Sequence, residues 1–239
     1  MDIEQEVLHQ LKTHQIEKLR YKIVKVYPHD RTCFTEGLVY KDGYIYESCG
    51  LYGYSRIQKV ELKTGKVVQE KKINYFGEGL TYANNRFYQL TWKEHLGLIY
   101  NERFELIDTW RYTTQGWGLT FKDGQFIMSD GSANLHIYDD RLKYVKSIKV
   151  KIGDYFVRQL NCLATDNRYL YTNLFPTDLV LKIDLNSGHI IGYLDFSEIS
   201  PRIKYDYDDV LNGITFDDNK RLYLTGKRWS KLYQVELTG

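Results

Sequence analysis

The fold is decided by a five-residue stretch that occurs five times in the chain: Glu36-Gly37-Leu38-Val39-Tyr40, Glu78-Gly79-Leu80-Thr81-Tyr82, Trp117-Gly118-Leu119-Thr120-Phe121, Asn161-Cys162-Leu163-Ala164-Thr165 and Asn212-Gly213-Ile214-Thr215-Phe216. Successive copies begin 39 to 51 residues apart. A four-stranded propeller blade takes roughly 40–50 residues, so this spacing predicts five blades. A chain of 239 residues suits a single closed all-β domain.

Each copy is followed at a constant distance by a residue that favours a tight turn. These residues are Asp42, Asn84, Asp123, Asn167 and Asp218. Two of them precede glycine, and Asp-Gly is a strong signal for a two-residue β-hairpin. An alternating segment follows most turns, and two further strands complete most units. The predicted fold class is therefore all-β, a five-bladed β-propeller of four-stranded antiparallel blades.

The first residues of the chain explain how the ring closes. The last unit has room for only three strands, whereas the alternating segment 21–27 has no unit of its own. Pairing this N-terminal strand with the last blade removes an exposed sheet edge. Ile3, Val7 and Leu11 recur at helical spacing, which predicts a short helix on the outside. We divide the chain into a helical extension, residues 1–20, and a propeller domain, residues 21–239.

Composition and charge argue against several partners. The formal net charge is +2, and no segment gathers Lys and Arg into a basic stripe, so we expect neither nucleic acid nor a membrane as a partner. No apolar run reaches the length of a signal peptide or a membrane span. We expect a soluble monomer, cytoplasmic as the chain stands, or exported if a leader precedes it.

Metal and disulfide chemistry are not predicted. The six histidines lie in separate units without metal-ligand spacing, so we expect no metal and no cofactor. The acidic segment 206–209 is interpreted as an exposed loop. Three cysteines, Cys33, Cys49 and Cys162, are too few for a disulfide framework. Cys33 and Cys49 can pair if their loops meet, but buried reduced thiols are the favoured interpretation.

The strand order places one set of side chains at a single opening of the central channel. First strands start, and second strands end, on the same face of an antiparallel blade. The residues expected there are Phe34, Glu36, Phe76, Glu78, Trp92, Trp117, Asn161, Phe175, Asn212, Lys227 and Trp229. An aromatic cup with a few convergent polar groups is what a small-ligand site requires. Each tryptophan has a structural alternative, because it can instead pack between blades.

Glu36 and Glu78 are the residues that packing explains least. The repeat turns both carboxyl groups inward, where an uncompensated charge is costly. Two neighbouring carboxyl groups raise the pKa of at least one of them, which produces an acid–base group near neutrality. Structural ion networks shift pKa values in the same way. The pair therefore indicates, but does not by itself establish, a catalytic site.

A long series of motifs resembles the glutaminyl cyclotransferases of plants and bacteria. It spans residues 27–237 and includes Tyr27-Pro28-His29-Asp30, Phe34-Thr35-Glu36-Gly37-Leu38, Glu47-Ser48-Cys49-Gly50-Leu51-Tyr52-Gly53, Phe76-Gly77-Glu78-Gly79-Leu80-Thr81, Gln89-Leu90-Thr91-Trp92, Gly116-Trp117-Gly118-Leu119, Ser129-Asp130-Gly131, Val210-Leu211-Asn212-Gly213-Ile214 and Leu224-Thr225-Gly226-Lys227 followed, after one residue, by Trp229. The resemblance implies a five-bladed propeller that converts the N-terminal glutamine of peptides or proteins to pyroglutamate without a metal and releases ammonia.

The resemblance also assigns roles to residues. It implies that Glu78 is the acid–base group and that the pocket is lined by the side chains at Phe34, Glu36, Phe76, Trp92, Trp117, Asn161 and Lys227. As a hypothesis, Asn161 and Lys227 stabilise the oxyanion that develops during ring closure.

The chain departs from typical members of that family at three places. It has Glu36 where they have glutamine, Leu160-Asn161-Cys162-Leu163-Ala164 where they have Leu-Asn-Glu-Leu-Glu, and Phe175 where they have tryptophan. Two alternatives to the cyclotransferase stay open. One is a glycosidase that uses Glu36 and Glu78 as its carboxylate pair. The other is a propeller that binds peptide N-termini without turning them over.

Overall fold

A computed structural model describes residues 1–202 and 206–238. The strands are β1 (Glu17–Lys18), β2 (Arg20–Pro28), β3 (Thr35–Lys41), β4 (Tyr44–Cys49), β5 (Arg56–Glu61), β6 (Val67–Lys72), β7 (Gly77–Ala83), β8 (Arg86–Thr91), β9 (Leu96–Tyr100), β10 (Leu106–Arg111), β11 (Leu119–Lys122), β12 (Gln125–Ser129), β13 (Asn134–Tyr138), β14 (Tyr144–Lys149), β15 (Lys151–Ile152), β16 (Tyr155–Phe156), β17 (Leu160–Thr165), β18 (Leu170–Leu174), β19 (Leu179–Ile183), β20 (Ile190–Asp195), β21 (Leu211–Phe216), β22 (Leu222–Gly226) and β23 (Lys231–Thr238). Residues 203–205 and 239 of the predicted propeller domain lie outside the described ranges.

Twenty of these strands form five four-stranded antiparallel blades, which confirms the predicted five-bladed propeller, and β15 pairs with β16 in a separate hairpin. Blade 1 contains β3–β6, blade 2 β7–β10, blade 3 β11–β14, blade 4 β17–β20, and blade 5 β21–β23 with β2. The strand β2 pairs with β23 from Arg20 opposite Thr238 to Pro28 opposite Lys231. The N-terminal strand therefore closes the last blade, as predicted.

The repeated motif lies on the innermost strand of each blade, where neighbouring blades come closest together. The first strands of successive blades contact one another around the channel. A Cβ atom at Gly79 would lie 2.6 Å from the backbone nitrogen of Leu119, and one at Gly118 would lie 2.0 Å from the carbonyl oxygen of Asn161. Both distances are too short for any side chain. The glycines recur because the inner strands must approach one another this closely.

Buried apolar side chains hold the blades together. Within the described chain they form five clusters, one between each pair of neighbouring blades. The helix α1 (Ile3–Thr13) adds Val7 and Leu11 to the cluster between blades 3 and 4. After the helix, β1 pairs in parallel with β20. The extension thus ends as an additional strand of blade 4.

The expectation of reduced thiols at Cys33 and Cys49 is wrong, because the two cysteines form a disulfide. Cys49 ends β4 opposite Thr35, at the start of β3, so the chain brings the two Cα atoms to 5.1 Å. That separation lies within the range that a disulfide bridges. The third cysteine, Cys162, is buried, and burial raises the pKa of its thiol to about 11.

A buried ion pair joins blade 5 to blade 1 beside the closing strand. His29 Nδ1 lies 2.6 Å from the Trp229 carbonyl oxygen, and His29 Nε2 lies 2.8 Å from Glu47 Oε2. Both partners are acceptors, so both ring nitrogens donate and His29 is an imidazolium. Burial is the largest single influence and opposes this charge, but the charge and hydrogen bond of Glu47, the bond to the Trp229 carbonyl and the charge of Asp30 together outweigh it, so the pKa of His29 is raised.

We expect this ion pair to make the stability of the protein depend on pH. A raised pKa in the folded state contributes stability that is complete below the ordinary histidine value of about 6.5 and is lost as the pH rises through the folded value. Thermal unfolding from acidic to alkaline pH should show this loss in the wild type. A His29→Gln variant should show a flatter profile and lose about 3–5 kcal/mol at acidic pH, because Glu47 stays buried without a cation. The control is His189→Gln at an exposed position; parallel profiles for wild type and His29→Gln contradict the imidazolium.

Candidate active site

Irregularities in the inner strands direct the motif's polar side chains into the channel. The pairing register shifts at Glu36 in blade 1, around Glu78 in blade 2, and around Asn161 in blade 4. A β-bulge leaves one residue without a partner in the ladder and re-aims its side chain. Three polar residues from three blades thereby converge on one opening.

This opening leads into a cavity of about 280 Å³. Its lining consists of Phe34, Glu36, Leu51, Phe76, Glu78, Trp92, Trp117, Asn161, Phe175, Asp208 and Lys227. Ligand pockets run from roughly 300 to 1,000 Å³, so the cavity is of a size for a single side chain and its backbone. Rings form most of its wall.

The structure brings nine of the eleven residues expected from the sequence to this cavity and leaves two behind. Asn212 lies behind the wall, where its amide nitrogen donates to the Thr35 carbonyl oxygen at 3.0 Å and lies 3.5 Å from Glu36 Oε1. Trp229 lies among the apolar side chains between blades 4 and 5, and its indole N–H donates to the Asp209 carbonyl oxygen at 3.1 Å. Trp229 thus takes the structural alternative, because its ring covers Gly226.

Glu36 and Lys227 form a buried ion pair in the cavity wall. Lys227 Nζ lies 2.7 Å from Glu36 Oε1, and both side chains are about 95% buried. The ammonium group also lies 4.4 Å from the ring centroid of Phe34 and 4.6 Å from that of Phe175. The two aromatic faces and the carboxylate together stabilise a cation removed from water.

Glu78 has no such partner and holds its proton more tightly. Its carboxyl group is buried, and burial is the largest cause that raises the pKa of Glu78 well above its ordinary value. The charge of Glu36 and a hydrogen bond between the two carboxyl groups raise it further, whereas Lys227 lowers it. The cavity therefore contains a carboxyl group with a raised pKa beside the Glu36–Lys227 ion pair.

Two buried acceptor atoms in this wall have no hydrogen-bond partner among the described residues. They are Glu78 Oε2 and Asn161 Oδ1. An unsatisfied buried polar atom costs about 1–3 kcal/mol, so their presence in a cavity points to a ligand that donates hydrogen bonds. A small molecule with N–H groups and an apolar stem fits these requirements.

Two residues of the lining were missed at the sequence level, Leu51 and Asp208. Leu51 lies two residues after the disulfide cysteine Cys49. Its place in the cavity lining depends on the tertiary fold and has no signal in the repeat. The interpretation of segment 206–209 as an exposed loop is wrong for half of its residues. Asp208 is half-buried at the cavity, and Asp209 is buried with its Oδ1 2.6 Å from an Arg228 nitrogen.

The departures near Asn161 lie away from the cavity. Cys162 and Ala164 belong to the apolar cluster between blades 4 and 5, and of this stretch Asn161 alone is in the described cavity lining. The replacement of two acidic residues thus changes the packing between blades. Glu36 and Phe175, in contrast, change the cavity itself.

Sequence and fold match known proteins over almost the whole chain. The profile of the glutamine cyclotransferase family covers residues 3–237. A curated glutaminyl-peptide cyclotransferase from Arabidopsis thaliana is 36% identical over 235 residues, which are 94% of this chain and 73% of the relative. The crystal structure of Myxococcus xanthus glutaminyl cyclase superposes with a TM-score of 0.87 at 30% identity, covering 93% of this chain and 98% of that one.

More distant structures share the fold alone. A streptogramin B lyase structure superposes with a TM-score of 0.54 at 7% identity over 91% of this chain and 98% of that one. Fold and site define the class, a five-bladed propeller with a buried pair of carboxyl groups in an aromatic cup. The chain belongs to the glutamine cyclotransferase family.

Nowhere in residues 1–202 and 206–238 do three His, Cys, Asp or Glu side chains come together in a way that could hold a metal ion. No helix in those ranges has the length and apolar character needed to span a membrane.

Proposed function

We propose that this protein is a glutaminyl-peptide cyclotransferase, which closes the N-terminal glutamine of peptides or proteins to pyroglutamate and releases ammonia. The observation that carries the proposal is the buried carboxyl group of Glu78, whose pKa is raised, held next to the Glu36–Lys227 pair in an aromatic cavity. The Arabidopsis and Myxococcus relatives carry the names of this activity.

The reaction needs one proton moved between two nitrogen atoms. The substrate's α-amine attacks its own side-chain carbonyl carbon, a C–N bond forms, and the carboxamide nitrogen leaves as ammonia. Glu78 takes a proton from the attacking amine and delivers one to the leaving nitrogen, which cannot depart as an amide ion. A carboxyl group with a raised pKa lies closer to the amine, whose pKa is about 8, and exchanges protons with it at lower cost.

The other groups of the wall bind and orient the substrate. Asn161 Oδ1 and Glu78 Oε2 accept hydrogen bonds from the substrate's N–H groups, and Lys227 places positive charge near the developing oxyanion. The rings hold the folded glutamine side chain against its own amine. Because ring closure is intramolecular, good orientation accounts for up to about 7–11 kcal/mol of the barrier.

The glycosidase alternative fits the geometry less well. Retaining enzymes place their two carboxyl groups about 5–5.5 Å apart, and inverting enzymes place them farther apart, so that a sugar lies between them. Here the carboxyl groups of Glu36 and Glu78 interact directly, which leaves no room for a glycosidic bond.

A mass-spectrometric assay tests the proposed activity. The protein is mixed with a short Gln-initiated peptide, and loss of ammonia from the peptide is followed against the uncatalysed rate. A peptide that begins with asparagine is the control, since it has one methylene group fewer. Binding of the Gln peptide without any loss of ammonia would show a non-enzymatic propeller and refute the proposal.

We expect a bell-shaped pH profile of kcat/KM whose acid limb depends on Glu36. In the active protonation state Glu78 and the substrate amine carry one transferable proton between them. Activity falls at low pH, where both groups are protonated, and at high pH, where neither is. A Glu36→Gln variant should shift the acid limb to lower pH, because it removes a charge that raises the pKa of Glu78 and frees Lys227 to lower it. An unchanged acid limb in this variant assigns the limb to another group.

A further inference from the structure

The cavity is surrounded by a nearly continuous series of ring contacts. In order around the wall they join Phe34, Phe76, Trp92, Trp117, Phe175 and Lys227. The centroids of Phe76 and Trp92 are 5.0 Å apart, and those of Trp117 and Phe175 are 5.8 Å apart. Between Trp92 and Trp117 the series is completed by hydrogen bonds through a third residue.

That residue is Gln115, whose amide oxygen binds both tryptophans. The Nε1–H of Trp92 and the Nε1–H of Trp117 each donate to Gln115 Oε1 at 3.0 Å. An amide oxygen has two lone pairs and can accept both bonds. Trp92 follows β8 of blade 2 and Trp117 precedes β11 of blade 3, so this one atom couples the walls from two neighbouring blades.

The backbone around Gln115 is itself held in place. The Gly116 N–H donates to the Trp92 carbonyl oxygen at 3.0 Å, and His95 Nδ1 lies 2.8 Å from the Thr114 carbonyl oxygen. A Cβ at position 116 would lie 2.5 Å from the Thr91 carbonyl oxygen, so the segment packs tightly against blade 2. The amide of Gln115 is therefore presented from a fixed position.

We propose that Gln115 is a positioning residue, which fixes the orientation of the Trp92 and Trp117 rings for substrate binding. This inference rests on the proposed function for its effect on turnover, but not for its effect on the two rings. Gln115 does not itself line the cavity. Without its acceptor, two indole N–H groups lose their partner and both rings gain rotational freedom, so the cavity binds its ligand less tightly.

Two variants separate the acceptor from the shape of the side chain. Gln115→Met keeps the length and removes the acceptor, whereas Gln115→Glu keeps an oxygen that both indoles can reach. We expect Met to raise KM for a Gln-initiated peptide about tenfold, with a smaller change in kcat, and to alter the near-ultraviolet circular dichroism of the tryptophans. Glu should restore both readouts. Gln125→Met is the control, since Gln125 is also half-buried but begins β12 at the opposite face.

A negative result for Gln115 can be told apart from a wild type that lacks cyclotransferase activity. If the wild type does not cyclise the peptide, the circular dichroism of the Met and Glu variants still tests Gln115. A Met variant with wild-type KM and wild-type spectrum overturns the inference, as does a Glu variant no better than Met. If Met fails to fold, hydrogen exchange of ¹⁵N-labelled indoles in the wild type decides: fast exchange at both Trp92 and Trp117 overturns the inference, and slow exchange at both supports it.

Discussion

Replacing Glu78 with glutamine is expected to lower kcat for cyclisation by about 10²–10⁴-fold, the usual contribution of a positioned acid–base group. Glutamine keeps the shape of the side chain and can still bind the substrate, but it does not transfer a proton. KM should therefore change much less than kcat. The measurement is the rate of ammonia release from a Gln-initiated peptide.

The same variant is expected to be more stable than the wild type at neutral pH. A carboxyl group whose pKa is raised in the folded state contributes stability that is complete below its unfolded value, about 4.3, and is lost as the pH rises through the folded value. Glutamine has no proton to lose. The free energy of unfolding of Glu78→Gln should therefore exceed that of the wild type above the unfolded-state pKa of glutamate and equal it in acid. Chemical unfolding at several pH values measures this difference.

A matched control is Glu61→Gln, which changes a half-buried glutamate at the end of β5 on the opposite face. This control should turn over peptide like the wild type. Turnover by Glu78→Gln at the wild-type rate would remove Glu78 from the mechanism. Equal stabilities of wild type and Glu78→Gln at every pH would contradict the raised pKa.

Replacing Lys227 with methionine is expected to destabilise the protein by about 3–5 kcal/mol, because Glu36 is left buried without its cation. For a domain of this size 1 kcal/mol corresponds to about 2–4 °C in Tm, so the melting temperature should fall by at least several degrees. The double variant Glu36→Gln/Lys227→Met removes both charges and should recover most of the loss.

Activity should respond differently from stability in this series. Lys227 lowers the pKa of Glu78, so its loss should shift the pH profile of kcat/KM to higher pH, and neither the single nor the double variant should regain wild-type kcat. The control is Lys231→Met, an exposed lysine in the same blade. If the double variant is as unstable as Lys227→Met, the ion pair is not the cause of the loss.

The sequence was sufficient for the architecture because the repeat marks a close contact between inner strands that four of the five motif copies make through glycine. Gly79 and Gly118 recur in register since the inner strands meet at these positions, and the turn formers recur since every inner strand reverses there. The same register predicted which face would carry Glu36, Glu78 and Asn161. Propeller geometry converts a position along the motif directly into a position around the channel.

The cysteines and Gln115 show where this argument stops. Cys33 and Cys49 pair because two loops meet, and Gln115 binds two tryptophans because of the direction in which its amide points. Neither the meeting of two loops nor the direction of one amide group recurs with the repeat, so the repeat does not predict them. Trp229 is a third example. A local loop conformation turns its ring over Gly226 and places it between blades, and that conformation is not part of the repeat.

By itself the sequence determined the number of blades, the closing strand and the pair of carboxyl groups at one opening. The tertiary structure alone decided which carboxyl group has a cation beside it. Glu36 takes the ion pair with Lys227, a residue from the last blade, and Glu78 is left with a raised pKa and no ion pair of its own. Protonation follows distances of a few ångströms between groups that are far apart along the chain, and a repeat does not encode those distances.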